Sequence, residues 1–284
     1  MNSVNSKTIL ITGCSSGIGL CVANGLKEKG YRVFATARAA ADVEQLLQQG
    51  FEAFQLDLAD SHSINTAVDK ILQLSDNRLD ALFNNGAYGL PGAVEDLSRD
   101  ALRAQFETNV FGWIELTNRI IPVMRQQNDG RIIMNSSVLG FAAMAYRGAY
   151  NASKFAIEGF SDTLRIELKD TPIQISLIEP GPISSKFRQN AKKAFDQYID
   201  AENSAHKEQY EAMQQRLNKP GPAAPFTLPP EAVLKRVIHA LESKKAKARY
   251  YVTVPTYLFA YLKRFLSTAM MDIILNKAGG DGKR

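Results

Sequence analysis

Residues 7–19 read Lys7-Thr8-Ile9-Leu10-Ile11-Thr12-Gly13-Cys14-Ser15-Ser16-Gly17-Ile18-Gly19. A short apolar run (KTILIT) passes through a glycine-rich turn into a segment with helical periodicity over 17–29. That order sets a strand's carboxyl end against a helix's amino end. Glycines let the backbone turn sharply and approach an anion, and the free amides of the helix N-terminus hold negative charge there. Gly19 lets the helix sit close to the sheet. A pyrophosphate suits such a turn, which makes Gly13, Ser15, Ser16, Gly17, Ile18 and Gly19 candidate binding residues. Taken alone, the turn also reads as a tight βα connection that binds nothing, so the rest of the chain has to decide.

Outward from this point, apolar runs and helical patterns alternate. Strands are expected at 7–12, 31–36, 51–56, 79–83, 131–136 and 173–179, and helices near 17–29, 42–49, 61–74, 98–126 and 148–169. Gly30 and Gly50 stand where helices need a left-handed stop, and Ser61 and Ser98 where they need a cap. Strict alternation implies an α/β fold: a Rossmann-type, doubly wound parallel sheet with helices on both faces. Residues 184–229 turn polar and then rich in Pro and Ala, as a helical excursion and loop. A helix near 230–243, a strand near 249–254 and a final helix near 256–276 follow. The expected domains are a nucleotide-binding unit over 1–255 and a C-terminal amphipathic helix and tail over 256–284.

Composition narrows the function classes. The 284 residues are 45% hydrophobic and 22% charged, as in an ordinary globular protein. Two cysteines, Cys14 and Cys21, make neither a disulfide scaffold nor a zinc ribbon, and the three histidines lack metal-ligand spacing, so no metal is expected. A reducing, cytoplasmic setting is expected, with no secretory h-region before Thr8. The net charge of +5 is uneven: residues 231–284 carry eleven Lys and Arg against four Asp and Glu. Nothing else points to nucleic acid. The apolar stretch Tyr250–Leu262 is broken by Pro255 and followed by Lys263 and Arg264, too short and interrupted to span a bilayer.

The second strand ends Thr36-Ala37-Arg38. An NAD site places an acidic residue here for the ribose hydroxyls, whereas a guanidinium suits a ribose 2′-phosphate, so NADP(H) is the expected cofactor. Tyr150-Asn151-Ala152-Ser153-Lys154 puts a phenol and an ammonium on one helical face. A phenol with a free pKa of about 10 needs help as a base, and a nearby cation is expected to lower it. Ser137, just past the fifth strand, can donate to a developing alkoxide.

Together these residues make the sequence resemble the short-chain dehydrogenase/reductase family, in its single-domain TGxxxGxG/YxxxK branch. The resemblance is closest to hydroxysteroid and retinol dehydrogenases and to bacterial NADP-dependent aldehyde reductases. It implies a catalytic set of Ser137, Tyr150 and Lys154, with Asn109 supporting a water relay from Lys154. It further implies cofactor contacts at Asp57 and Leu58 (adenine), Asn85 (adenosine side), Pro180, Gly181 and Ile183 (nicotinamide loop) and Ser185 (carboxamide). One departure stands out: Asn84-Asn85-Gly86-Ala87 replaces the usual Asn-Asn-Ala-Gly. A left-handed backbone position there is expected to move or become strained.

The expected activity is hydride transfer between NADP(H) and an aldehyde or ketone, or the matching alcohol. Substrate walls are expected from 90–95, 139–147 and the 184–229 excursion, including Leu139, Phe141, Met144 and Phe187. Their apolar character favours an aliphatic, aromatic, retinoid or steroid-like substrate. The rival from another class is a redox-sensing regulator that binds NADP(H) without turnover. A sugar-nucleotide epimerase or dehydratase shares YxxxK, but has a shorter glycine turn and a larger C-terminal domain. A homodimer or homotetramer is expected through 98–126 and 150–168. The 256–276 segment reads either as a helix packed on protein or as a peripheral membrane contact.

Overall fold

The structure is a computed structural model describing residues 6–218, 221 and 224–280. Seven strands form one parallel sheet: β1 (Thr8–Ile11), β2 (Arg32–Ala37), β3 (Glu52–Gln55), β4 (Ala81–Asn84), β5 (Gly130–Asn135), β6 (Ile173–Glu179) and β7 (Arg249–Tyr251). Their order is β3-β2-β1-β4-β5-β6-β7, so the winding reverses between β1 and β4. Ligands bind outside the carboxyl ends of strands at such a switch point. The expected doubly wound α/β fold is present.

Strand alternation builds two cores. On β1, Leu10 faces one side, while Ile9 and Ile11 face the other. On Leu10's side pack α3 (Ser61–Leu74), α5 (Gly112–Gln126) and α6 (Gly148–Glu167), through Ile64, Val68, Trp113, Leu116, Ile120 and Ile157. The opposite side takes α1 (Gly17–Glu28), α2 (Ala40–Gln48) and α9 (Glu231–Glu242), through Val22, Leu26, Leu46, Val233 and Val237.

Three expectations change in detail. The single helix expected at 98–126 is α4 (Arg99–Phe106), a π turn over Glu107–Phe111, and α5. Ser98 caps α4 as expected, accepting from Ala101 N. Ser61 is not a cap: Asp60, one residue earlier, accepts from His62 N, and Ser61 is the first residue of α3. The final helix is two, α10 (Val254–Phe265) and α11 (Thr268–Ala278), because Ser267 has extended backbone and caps the start of α11, its Oγ accepting from Met270 N. Within the excursion, α7 (Phe187–Tyr198) and α8 (Lys207–Asn218) pack on Leu90, Ala93 and Ala149. Among the described residues no helix is long and apolar enough to cross a membrane.

Candidate active site

Each of the first six strands delivers a candidate residue at its carboxyl end. The residues are Thr12 and Gly13 after β1, Arg38 after β2, Asp57 after β3, Asn85 after β4, Ser137 after β5 and Pro180 after β6.

The glycine turn is fixed by space as well as by dihedral. Gly13 (φ +71°) and Gly17 (φ +57°) occupy left-handed backbone. A Cβ on Gly19 would sit 2.1 Å from Gly13 O, so only hydrogen fits there. Ser16 precedes α1 without a side-chain cap bond, which leaves the first amides of α1 to other acceptors. This cradle fits a dinucleotide pyrophosphate. Thr12, which sequence reasoning passed over, braces the turn: its Oγ1 accepts from Asn85 N (2.8 Å) and Gly86 N (2.9 Å). Asn85 Nδ2 donates to Thr12 O at 2.9 Å, and its Oδ1 accepts from Asn135 Nδ2 at 2.9 Å.

The exchanged pair Gly86-Ala87 carries no strain, because neither residue has a positive φ. Gly86 instead lies against the glycine turn, where a Cβ on Gly13 would come within 2.7 Å of its Cα. Its carbonyl accepts from Trp113 Nε1 at 2.8 Å. The expectation of a displaced or strained left-handed residue is therefore corrected: close approach to the glycine turn is what Gly86 serves.

Arg38 is exposed at the open end of β2, its side chain unencumbered by any ion pair among the described residues. Asp57 Oδ1 accepts from Ala59 N, while Leu58 is buried and its carbonyl meets α5 so closely that a Cβ on Gly112 would lie 1.9 Å away. On the side expected to face the nicotinamide, Pro180 O accepts from Val138 N at 2.8 Å, which ties the loop after β6 to the serine turn. Gly181 abuts Thr253 and Thr256, Ile183 bridges to Leu228, and Ser185 lies over Gly17. Cys14 is a packing residue: it is fully buried, and burial pushes its thiol up to about 12.

Ser137, Tyr150 and Lys154 come together. Ser137 Oγ accepts from Leu139 N and faces the Tyr150 hydroxyl. Burial pushes the Tyr150 phenol up to about 12, against the opposing pull of Ser137. The expected lowering by Lys154 is absent, and geometry says why. Lys154 Nζ turns away to donate to Asn135 O at 2.7 Å and lies 4.3 Å above the Trp113 ring, 5.7 Å from the centre of the Tyr150 ring. Lys154 is 1% exposed, and burial pushes its amine down to about 7 while Glu158 pulls the other way. Trp113, the chain's single tryptophan, thus floors the site, though no motif marks it.

Asn109 sits in the π turn, a form that recurs at functional sites. Its Oδ1 accepts from Tyr88 N, and its Nδ2 donates to Tyr88 O (2.8 Å) and Ser153 Oγ (3.2 Å). It joins the 84–90 loop to α6 beneath Tyr150. Of the expected substrate residues, Phe187 stands over the site, its ring 5.3 Å from that of Tyr150. Leu139 is buried in a cluster with Phe259, Met271 and Leu275, and Phe141, Met144 and Tyr150 pack against that cluster. The Leu139 side of the site is therefore shared with α10 and α11.

The geometry has counterparts among known proteins. The short chain dehydrogenase family profile matches residues 7–196. An uncharacterized oxidoreductase of Escherichia coli, YbbO, is 42% identical over 272 residues, covering 96% of this chain and 95% of the relative. Human retinol dehydrogenase 8 is 39% identical over 191 residues, covering 64% of this chain and 60% of its own. Among solved structures, a short-chain dehydrogenase from Streptomyces avermitilis aligns over 100% of both chains with a TM-score of 0.78 and 27% identity. An actinorhodin polyketide ketoreductase with NADPH aligns over 89% of this chain and 97% of its own, with a TM-score of 0.72 and 26% identity. With the glycine turn, Ser137, Tyr150 and Lys154 assembled at the switch point of this sheet, the chain belongs to the short-chain dehydrogenase family of oxidoreductases.

Proposed function

We propose that the protein reduces aldehyde or ketone groups on apolar molecules with NADPH, and in reverse oxidises the matching alcohols. The observation that carries this reading is the convergence of Ser137, Tyr150 and a buried Lys154 beside a glycine cradle at the carboxyl ends of the strands. Bound in the cradle, the cofactor supplies hydride to the carbonyl carbon. The chain's own residues handle the oxygen. Tyr150 is protonated throughout the neutral range, so it holds the proton that the oxygen needs. Ser137 has one proton to give, and a substrate oxygen takes the place that the phenol oxygen holds. Lys154, as an ammonium, would hold the nicotinamide ribose hydroxyls, and Asn109 would support the water that resupplies protons. Arg38, with Ala37 where an acid would accept from the ribose, favours the 2′-phosphate. The apolar rings of Phe187 and Phe141 favour an aliphatic, aromatic, retinoid or steroid-like substrate.

Incubation with NADPH or NADH and a panel of aldehydes and ketones, followed by absorbance, tests the reading. Turnover with NADPH and weaker turnover with NADH is expected. Binding without turnover across the panel would favour the redox-sensing regulator.

Two further parts concern partners. The π turn before α5 and the outer face of α6 leave Phe111, Phe155, Phe160 and Ile166 exposed, which supports a homodimer or homotetramer paired there; a monomer in sedimentation equilibrium would remove it. The inner face of α10 packs on the domain through Phe259 and Ala260. Its outer face shows Val254, Tyr257, Leu258, Tyr261 and Phe265, with Lys263 and Arg264 beside them and no acidic side chain on that helix. That pattern supports a peripheral contact with an anionic membrane, from which apolar substrates reach the neighbouring site.

A further inference from the structure

On α6, Tyr150, Lys154, Glu158 and Asp162 recur every four residues and share one helical face. The first two belong to the site above, and the other two carry the row onward into a cluster that the reaction so far leaves idle. Glu158 is 7% exposed and Glu179, the last residue of β6, is fully buried. Arg249, which opens β7, clamps both: one Nη1 donates to Glu158 Oε2 and to Glu179 Oε1, the latter at 2.7 Å. Its Nη2 donates to Asp162 Oδ2 at 2.6 Å. Across Gly140, Ser136 Oγ and Glu158 Oε1 crowd one point, where a Cβ would lie 2.6 Å and 2.9 Å from them. The remaining oxygens, Glu158 Oε1 and Glu179 Oε2, are buried without a hydrogen-bond partner among the described residues, so the two carboxyls crowd one guanidinium.

Two buried carboxyls sharing one guanidinium cannot both ionise cheaply. Burial and the neighbouring carboxylate push Glu179 up to about 8, so at neutral pH it holds a proton. Burial pushes Glu158 up as well, but Ser136 and the Arg249 guanidinium pull it back down, so of the two it is better placed to carry the charge. The groups facing the pair are Lys154, Asp162 and its partner Arg165 on α6, Ser136 after β5, and Arg249 and Tyr251 on β7, with Arg264 of α10 beyond Tyr251. Around Lys154 itself stand the Trp113 ring, the Asn135 carbonyl and Tyr150, none of them a formal negative charge.

We propose that Glu158 is a positioning residue of the reaction: its carboxylate, one helical turn behind Lys154 and clamped by Arg249, holds that amine as the ammonium the site needs, while Glu179 keeps the pair's proton. The proposal rests on Lys154 acting as described under the proposed function.

Two measurements test it. One is the pH profile of kcat/KM for NADPH between about pH 5.5 and 9. The other is the titration of Lys154 in the ligand-free protein, followed by NMR with ¹³C-labelled lysine and assigned with Lys154→Met. In Glu158→Gln, the alkaline limb and the Lys154 titration both move down by roughly one pH unit, the effect of losing one nearby opposite charge. Glu158→Asp, which keeps the charge but retracts it, moves both less and decides the matter if the glutamine variant does not fold. Glu179→Gln copies a protonated carboxyl and leaves both in place. A uniform loss of activity in Glu158→Gln with unmoved limb and titration would overturn the proposal, as would Glu179→Gln shifting them equally. A titration that moves while the activity limb stays keeps the coupling and overturns the role of Lys154 in turnover.

Discussion

At Tyr150 the whole reaction hangs on one oxygen–hydrogen bond, and Tyr150→Phe removes only that. Turnover should fall by about 10²–10⁴-fold, toward the upper end, with NADPH binding nearly intact; more than a tenth of wild-type activity would show that another group is the acid. Arg38→Ala should raise the KM for NADPH through loss of roughly 1.5–3 kcal/mol of charge-assisted contact. An unchanged KM for NADPH would dismiss the 2′-phosphate contact. Lys154 makes a different kind of statement. Its amine falls from 10.5 to about 7 on folding, so between those values the unfolded chain binds the extra proton and stability rises with pH. Burying the charged form costs most below about 7 and nothing above about 10.5. Lys154→Met should therefore raise stability, and with it the melting temperature, near pH 6, by up to about 5 kcal/mol before the lost Asn135 bond is counted, and the gain should vanish toward pH 10. Lower stability of that variant at pH 6 would contradict this. The residues named from sequence were those whose chemistry is written in a spacing, such as Tyr150 with Lys154. Thr12, Asn135 and Trp113 serve the same site through long-range contacts, and a contact between positions 12 and 85 or 113 and 154 leaves no periodic trace.

Among the elements, strands and helices followed their hydrophobic period, and the boundaries that differed did so for local reasons. An Asp beside a Ser took the cap of α3, and a serine divided the tail into α10 and α11. The π turn was invisible because inserting Glu107–Phe111 into a continuous helix alters hydrogen-bond register without changing which residue types are apolar. Gly112, where α5 begins, is the position where close approach leaves least room. Gly112→Ala should force α5 away from Leu58, lowering the melting temperature and, through Trp113 and Lys154, the affinity for NADPH. A variant with wild-type melting temperature and binding would show that the helix gives way freely. The lining of the substrate side was only partly legible. Phe187 reaches Tyr150 as expected, whereas Leu139 is spent on packing with helices that begin more than a hundred residues later.

For the molecule as a whole, the uncovered stripe on α10 can be read in bulk measurements. Sedimentation with anionic liposomes should be strong at low salt and fall as salt screens Lys263, Arg264 and the basic residues upstream. No binding at low salt would dismiss the membrane contact. Deleting residues 256–284 should lower solubility, since it uncovers Val138, Leu139 and Ala142. The first helix has a longer reach than its place in the chain implies. Val22, Ala23 and Leu26 of α1 pack in one core with Val233 and Val237 of α9, and a Cβ on Gly25 would strike Leu234. Synthesis runs from the amino end, so the glycine turn leaves the ribosome long before the residues that cover its own helix. Through most of translation the nucleotide cradle is attached to a helix with a bare apolar side. A nascent chain halted before residue 230 thus presents a surface for chaperones rather than a finished site, and the fold closes only when nearly the last of it has emerged.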